Sequence, residues 1–136
     1  MSRIATGFLI IAMIGAGIGC MRTPGIEISG GEPPSFVVDG QAPVYRFVVS
    51  DATTHSGKWT IDWEVQTKHG QRRFNIMYGT VPSGFQQTSP EGGKPAPSLR
   101  PGILYSYLAE GFIKGNRGCF RMTEGRAVQV DCATGK

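Results

Sequence analysis

The stretch KWTIDWEVQ, residues 58–66, decides the fold class that this sequence predicts. Apolar and polar side chains alternate through it, and the apolar ones are Trp59, Ile61, Trp63 and Val65. A strict period of two is typical of a half-buried strand in an antiparallel sheet. After the polar residues TKHG at 67–70, the stretch RRFNIMYG at 72–79 repeats the pattern. We therefore predict a hairpin that turns at 67–70.

Further strand patterns lie on both sides of this hairpin. They are a short alternation at Ile26 and Ile28, SFVVDG at 35–40, PVYRFVVS at 43–50 with Tyr45, Phe47 and Val49 on one face, ILYSYLAEGFIKG at 103–115, and a second hairpin, FRMTEGRAVQVD, at 120–131. No convincing helix pattern follows residue 20. The sequence predicts an all-β, antiparallel two-sheet sandwich of about seven strands, with a small barrel as the alternative. The expected architecture is immunoglobulin-like or fibronectin-III-like, although the cysteine–tryptophan–cysteine order of antibody domains is absent.

Residues 79–102 interrupt the strands with five prolines and five glycines. Proline cannot donate to a sheet ladder and glycine weakens regular structure, so this segment is predicted to be a long loop with room for one short edge strand. A loop of this length in a small domain is uncommon and often functional.

The N-terminus carries a short apolar segment. Residues 4–18 contain no charged side chain, follow a single arginine at position 3, and include the run GFLIIAMI. This matches the length of a signal-peptide core and falls short of the roughly 20 residues of a membrane-spanning helix. Glycines at 15, 17 and 19 precede Cys20, and the chain then becomes polar and rich in turn residues.

This N-terminus resembles a bacterial lipoprotein signal peptide, with Gly17-Ile18-Gly19-Cys20 as the lipobox. The resemblance implies that Cys20 carries the lipid and that cleavage falls after Gly19. Met21 stands where an aspartate would retain the protein at the inner membrane, so the implied location is the outer membrane, facing the periplasm. Beyond its signal, the chain is similar to small bacterial lipoproteins with β-sandwich domains only in general pattern.

Two other readings of the N-terminus stay open, an ordinary secretory signal and an uncleaved anchor. On the lipoprotein reading the chain divides into a signal peptide at 1–19, a lipidated tether at 20–34 and a β-sandwich domain at 35–136. Membrane contact is then made through the lipid anchor, and the protein belongs to the cell envelope.

With Cys20 lipidated, Cys119 and Cys132 remain as an even pair outside the cytoplasm, where a disulfide is the default. Their separation closes a loop worth about 3 kcal/mol on the chain-entropy model. The hairpin between them, with its turn near 124–125, brings the two ends together.

One detail of this hairpin conflicts with the bridge. If Phe120 and Met122 share a face with Val128 and Val130, alternation puts Cys119 on one face and Cys132 on the other. We expect a bulge at Gly118, an adjustment around the turn, or cysteines that lie beyond the regular pairing.

The sequence offers little evidence for chemistry. His55 and His69 both lie in predicted turns without a motif for a catalytic partner. Neither metal-ligand spacing nor a phosphate-binding loop is present, so we predict no enzyme activity, no cofactor and no metal. The net charge of +4 is spread along the chain without a basic cluster, so we predict no nucleic-acid partner.

Two binding hypotheses follow. The first is a non-enzymatic, lipid-anchored interaction or accessory module for an envelope protein, with its contact region in the loop from Phe85 to Leu99. The second is a secreted or anchored module that binds carbohydrate or peptide through aromatic side chains: Trp59, Trp63, Tyr105 or Tyr107. Exposure of those rings distinguishes the two, because a core-facing stripe cannot stack on a ligand. A specific small-molecule ligand is not predicted.

Overall fold

The structure of the protein is a computed structural model that describes residues 25–53, 60–112 and 115–136, with the side chains at 40 and 41 excepted. The predicted signal peptide, Cys20, His55 and Trp59 lie outside these ranges. No helix in the described ranges has the length and apolar character needed to cross a membrane.

Seven strands form the described part of the chain. They are β1 (Gly25–Ser29), β2 (Ser35–Asp51), β3 (Thr60–Met77), β4 (Gln86–Ser89), β5 (Leu104–Gly111), β6 (Gly115–Thr123) and β7 (Arg126–Val130), with one 3-10 turn at Glu91–Gly93. All strand pairs are antiparallel. The prediction of an all-β, antiparallel domain is therefore confirmed for these residues.

The strands belong to one sheet built around β2. Strand β3 pairs along one edge of β2, while β1 and β5 pair with successive halves of the other edge. The sheet continues from β3 to β4 on one side and from β5 through β6 to β7 on the other. Because β7 lies against β1, the sheet curls almost into a barrel. The predicted division into two sheets of immunoglobulin or fibronectin-III type is not observed.

Strand β1 lies within the segment predicted as a tether. Its register pairs Ile26 with Val38, and the Ile26 side chain is buried in the core. The part of that segment from residue 25 onward is thus attached to the domain, in agreement with the alternation of Ile26 and Ile28.

The predicted turn at 67–70 is wrong, because β3 continues through it as one bent strand. Strand β2 is equally continuous through the predicted break near residue 40, and register shifts between the two strands absorb the bend. Gly70 permits their close approach, since a Cβ at this position would lie 2.4 Å from the Cβ of Pro43. A glycine beside polar residues suggested a turn, although its role here is to let the paired strands β2 and β3 approach each other closely.

Bulges also change which side chains face the core. A register shift between Val44 and Arg46 in β2 buries Val44 with Phe47, while Tyr45 leaves the predicted core face. A second shift in β3 leaves Ile61 39% exposed, although Trp63 and Val65 are fully buried. A bulge adds a residue to one strand and so reverses the alternation beyond it. Strict alternation therefore predicted Tyr45 and Ile61 wrongly.

The C-terminal hairpin and its disulfide are confirmed. The register of the hairpin places both cysteines on one face and so removes the conflict described above. Glu124 and Gly125 both have positive φ (51° and 72°), as a two-residue hairpin turn requires. This turn pairs Cys119 with Val130, so that Cys132 also lies on the face of Cys119. Their sulfurs form the bridge, with a Cα–Cα distance of 5.1 Å. The assumption that Val128 shares the face of Phe120 was wrong, since Val128 is largely exposed.

The core is rich in aromatic rings. Phe36 contacts Phe47, Tyr107 and Phe120 with centroid distances of 5.0–5.7 Å. Such pairs stabilise a core beyond the area that they bury. Tyr107 stands opposite Gly118 in the register of β5 and β6, and a Cβ on Gly118 would lie 2.0 Å from its hydroxyl oxygen.

We therefore expect Gly118→Ala to lower the free energy of unfolding by about 2 kcal/mol, because the added methyl group overpacks a buried ring. Gly25→Ala is the matched control, since a Cβ there meets no atom within 4 Å. Denaturant titration of both variants measures the difference, and equal stabilities would contradict this account of the packing.

Candidate functional site

Residues 94–101, called here the proline segment, are held firmly although they form no strand or helix. Three hydrogen bonds connect its backbone to side chains on β4, directly after β3 and on β5. Gln87 Nε2 donates to the Lys94 carbonyl (2.7 Å), the Tyr78 hydroxyl donates to the Pro97 carbonyl (2.7 Å), and the Arg100 N–H donates to the Tyr105 hydroxyl (2.8 Å). The loop is therefore an ordered surface.

Exposure along the proline segment follows a period of three. Ala96 and Leu99 pack inward against the core, while the residues between and around them are exposed. A polyproline II helix has three residues per turn. Prolines at 95, 97 and 101 fix their own φ, and each restricts the preceding residue to extended conformations; Lys94 has φ −61° and ψ 144°. The segment thus turns one face inward and two outward.

A cavity of about 260 Å³ lies beside the proline segment. Its other wall is the turn at 32–34, with Pro33 and Pro34, and Tyr78 contributes to its lining. Glu32 and Ser98 also contribute, so the walls combine proline rings with polar groups.

Phe85, predicted as a contact residue of this loop, is buried rather than exposed. Only 7% of its surface is accessible, and its ring packs on Phe74 with a centroid distance of 5.1 Å. Phe85 therefore attaches the loop to the sheet, and the exposed surface of the loop lies in the proline segment. The sequence alone does not reveal that Phe85 is buried, because its burial depends on the position of Phe74 in the folded sheet.

The aromatic rings considered for ligand stacking are in the core wherever the structure describes them. Trp63 is fully buried, and its indole N–H donates to Gln87 Oε1 at 3.1 Å. Tyr105 and Tyr107 are 3% exposed. None of these three rings has a free face for a ligand, and for Trp63 this agrees with the alternation at 58–66.

A different aromatic pair lies on the surface. Phe112, directly after β5, is 86% exposed, and its ring lies 4.4 Å from that of Tyr45. Together with Arg46 and Glu110, these rings line a concavity of about 250 Å³. Sequence analysis missed Phe112, because the stretch GFIKG was assigned to a continuing strand that in fact ends at Gly111.

Arg46 and Glu110 form the polar side of this concavity, and both belong to an ion network with Glu64. Arg46 Nε and Nη2 donate to Glu64 Oε2 at 2.9 and 2.6 Å, and Nη1 donates to Glu110 Oε2 at 2.8 Å. Glu64 Oε1 accepts from Gln66 and Thr88. Burial alone would raise the pKa of Glu64, but the hydrogen bonds that it accepts, chiefly from Arg46, outweigh burial and lower it. Both Glu64 oxygens are thus occupied, and the network is a rigid border.

One carboxylate on β3, that of Asp62, is partly buried. Asp62 Oδ2 is inaccessible to solvent and has no hydrogen-bond partner. Burial first, and then the charge of Asp51, raise the pKa of Asp62, although Arg100 and the backbone of Asp51 act in the opposite direction. Arg100 Nη2 lies 3.5 Å from Asp51 Oδ2. An ionised Asp62 therefore weakens the fold.

The raised pKa gives a pH-dependent prediction for Asp62→Asn. The folded state binds the proton more tightly than the unfolded chain, so the stability contribution of Asp62 falls as pH rises above its ordinary pKa of 3.8. We expect the variant to be more stable than the wild type at pH 7, by roughly 1 kcal/mol, with a smaller gain at pH 4.

Chemical denaturation at both pH values measures this gain. Glu91→Gln removes the same charge from an exposed position and is the control. A gain that is equal at the two pH values, or a loss at pH 7, would contradict the assignment.

His69 is exposed on β3 in a shallow concavity whose lining residues include no carboxylate. Among the residues that the structure describes, no group of three or more His, Cys, Asp or Glu side chains could hold a metal ion. Comparison of the sequence with models of protein families, with curated proteins and with solved structures finds no match.

Proposed function

We propose that the protein is a lipid-anchored, non-enzymatic interaction module of a bacterial cell envelope, which contacts an envelope protein through its proline segment. The anchor is Cys20, and the location is the outer membrane, facing the periplasm. The observation that carries the interaction role is the proline segment itself, which is exposed and ordered at once.

The order of this segment is the main support. An exposed loop without internal bonds loses conformational entropy when it binds, whereas a loop already fixed by its own protein loses little. Here the backbone bonds from Tyr78 and Tyr105 and the packing of Ala96 and Leu99 fix the loop in advance. Rigid loops on a β-scaffold commonly carry binding.

The anchor rests on the N-terminal sequence. A short uncharged segment that ends in Gly17-Ile18-Gly19-Cys20 fits lipid modification at the cysteine. Several acyl chains attached to one residue hold a protein on a bilayer almost permanently, at about 0.8 kcal/mol for each buried methylene. The module would then be presented close to a membrane and to the proteins in it.

A second candidate function is the binding of carbohydrate or peptide at Phe112. An exposed ring stacked on Tyr45 beside Arg46 and Glu110 combines an apolar face with charged groups that form hydrogen bonds. Sites of this composition bind sugars and peptide side chains. This candidate uses a surface separate from the proline segment.

Intact mass spectrometry of the membrane-extracted, full-length gene product tests the anchor. We expect a mass of residues 20–136 plus three acyl chains, and we expect Cys20→Ser to lose both the acyl chains and the membrane association. An unmodified mass that begins at Cys20 or Met21 would overturn the lipoprotein assignment.

Site-specific photo-cross-linking tests the contact surface. A benzophenone amino acid is placed at Ser98, at Phe112 or, as control, at exposed Thr123 on β6. In the bacterium that makes the protein, we expect a discrete cross-linked envelope protein from position 98 only. Cross-links from position 112 alone would favour the second candidate, and equal yields at all three positions would contradict both.

A further inference from the structure

We propose that the two outward faces of the proline segment form a ligand for a partner protein whose groove is lined by aromatic side chains and bordered by carboxylates. This inference rests on the proposed interaction function and names the chemistry of the partner.

The spacing of exposed residues supports this partner. With Ala96 and Leu99 turned inward, the outward residues form three dipeptides, Lys94-Pro95, Pro97-Ser98 and Arg100-Pro101, and each contains one proline. When a polyproline II helix binds to its recognition domain, such proline-containing dipeptides enter an aromatic-lined groove of the domain. The third face of the helix stays outside the groove. Here the third face is the one that packs on the sheet.

The positive charges of the proline segment indicate which groups border the groove of the partner. The three outward dipeptides together are called here the ridge. Lys94 and Arg100 lie near its two ends, and six residues of polyproline II helix span about 19 Å. Residues 94–101 contain no acidic side chain. The Arg100 side chain is 69% exposed even with Asp51 beside it, so it remains accessible to a partner. Carboxylates at both ends of the partner groove would complement these cations and give orientation as well as attraction.

The neighbouring cavity provides an additional contact. Its walls are prolines from two separate segments, Pro33 and Pro34 on one side and Pro95 and Pro97 on the other. Flat proline rings and the Tyr78 side chain form a slot of about 260 Å³, to which Glu32 and Ser98 add polar groups. A single aromatic side chain from the border of the partner groove fits the chemistry of such a slot.

Three isolated domains with aromatic grooves serve as probes: an SH3 domain with an acidic loop, a WW domain and an EVH1 domain. Each is titrated with the full-length protein in detergent micelles while the fluorescence of its groove tryptophan is followed. We expect saturable binding by at least one domain, and we expect the double variant Pro95→Ala/Pro97→Ala to weaken it about tenfold, or about 1.4 kcal/mol.

Charge variants provide the matched comparison. Lys94→Glu and Lys68→Glu change the net charge equally, and both positions are exposed, but only Lys94 lies on the ridge. We expect Lys94→Glu to weaken binding about fivefold and Lys68→Glu to leave it unchanged. Thermal unfolding followed by circular dichroism verifies that all variants are folded.

The inference is overturned if no domain binds saturably up to about 1 mM, a free energy of about −4 kcal/mol, or if the variants at 94, 95 and 97 bind as the wild type does. Its failure is distinguishable from failure of the proposed function. A cross-link from position 98 that persists in Pro95→Ala/Pro97→Ala would retain the interaction role and discard the polyproline mode.

Discussion

The pairing of β2 on both of its edges is the constraint on which the rest of the structure depends. Strand β3 occupies one edge, and the other edge is shared, with β1 on residues 35–39 and β5 on residues 44–51. The bulge between Val44 and Arg46, near the start of the second half, reverses the alternation so that Phe36 and Phe47 face the same interior, where their ring centroids lie 5.0 Å apart. This bulge therefore lets both halves of β2 contribute side chains to one core.

The class of fold could be predicted from the sequence, whereas its closure could not. Alternation in 58–66 and 72–79 indicated antiparallel strands with Trp63 in the core, because a period of two is a local property of the chain. The continuity of β3 through 67–70 depends on the distant Pro43, which packs over Gly70. Likewise the outward turn of Ile61 results from a register shift against β2. The continuity of β3 and the exposure of Ile61 thus depend on contacts between residues far apart in the sequence, which no local pattern reveals.

The candidate site shows the same division. The proline content of 79–102 predicted a surface loop, and the restrictions that each proline imposes indicate extended backbone at 94–97 and 100–101. The anchoring of that backbone comes from Tyr78 and Tyr105, and the sequence predicted this role for neither of them. Phe85 was predicted as a contact residue and is buried, whereas Phe112 was missed and is exposed. Burial of an aromatic ring is decided by its neighbours, here Phe74 for Phe85 and the end of β5 for Phe112.

The divided edge of β2 also bears on the order in which the chain is made. Strands β1, β2 and β3 can pair as soon as they are synthesised, since they are consecutive along the chain. The half of β2 at 44–51 keeps unpaired N–H and C=O groups until residues 105–111 follow. An open strand edge readily pairs with other chains, and contacts between distant residues form slowly. The nascent protein therefore passes through a stage in which it is prone to aggregation, and a holding chaperone that covers this edge would raise the yield of folded molecules.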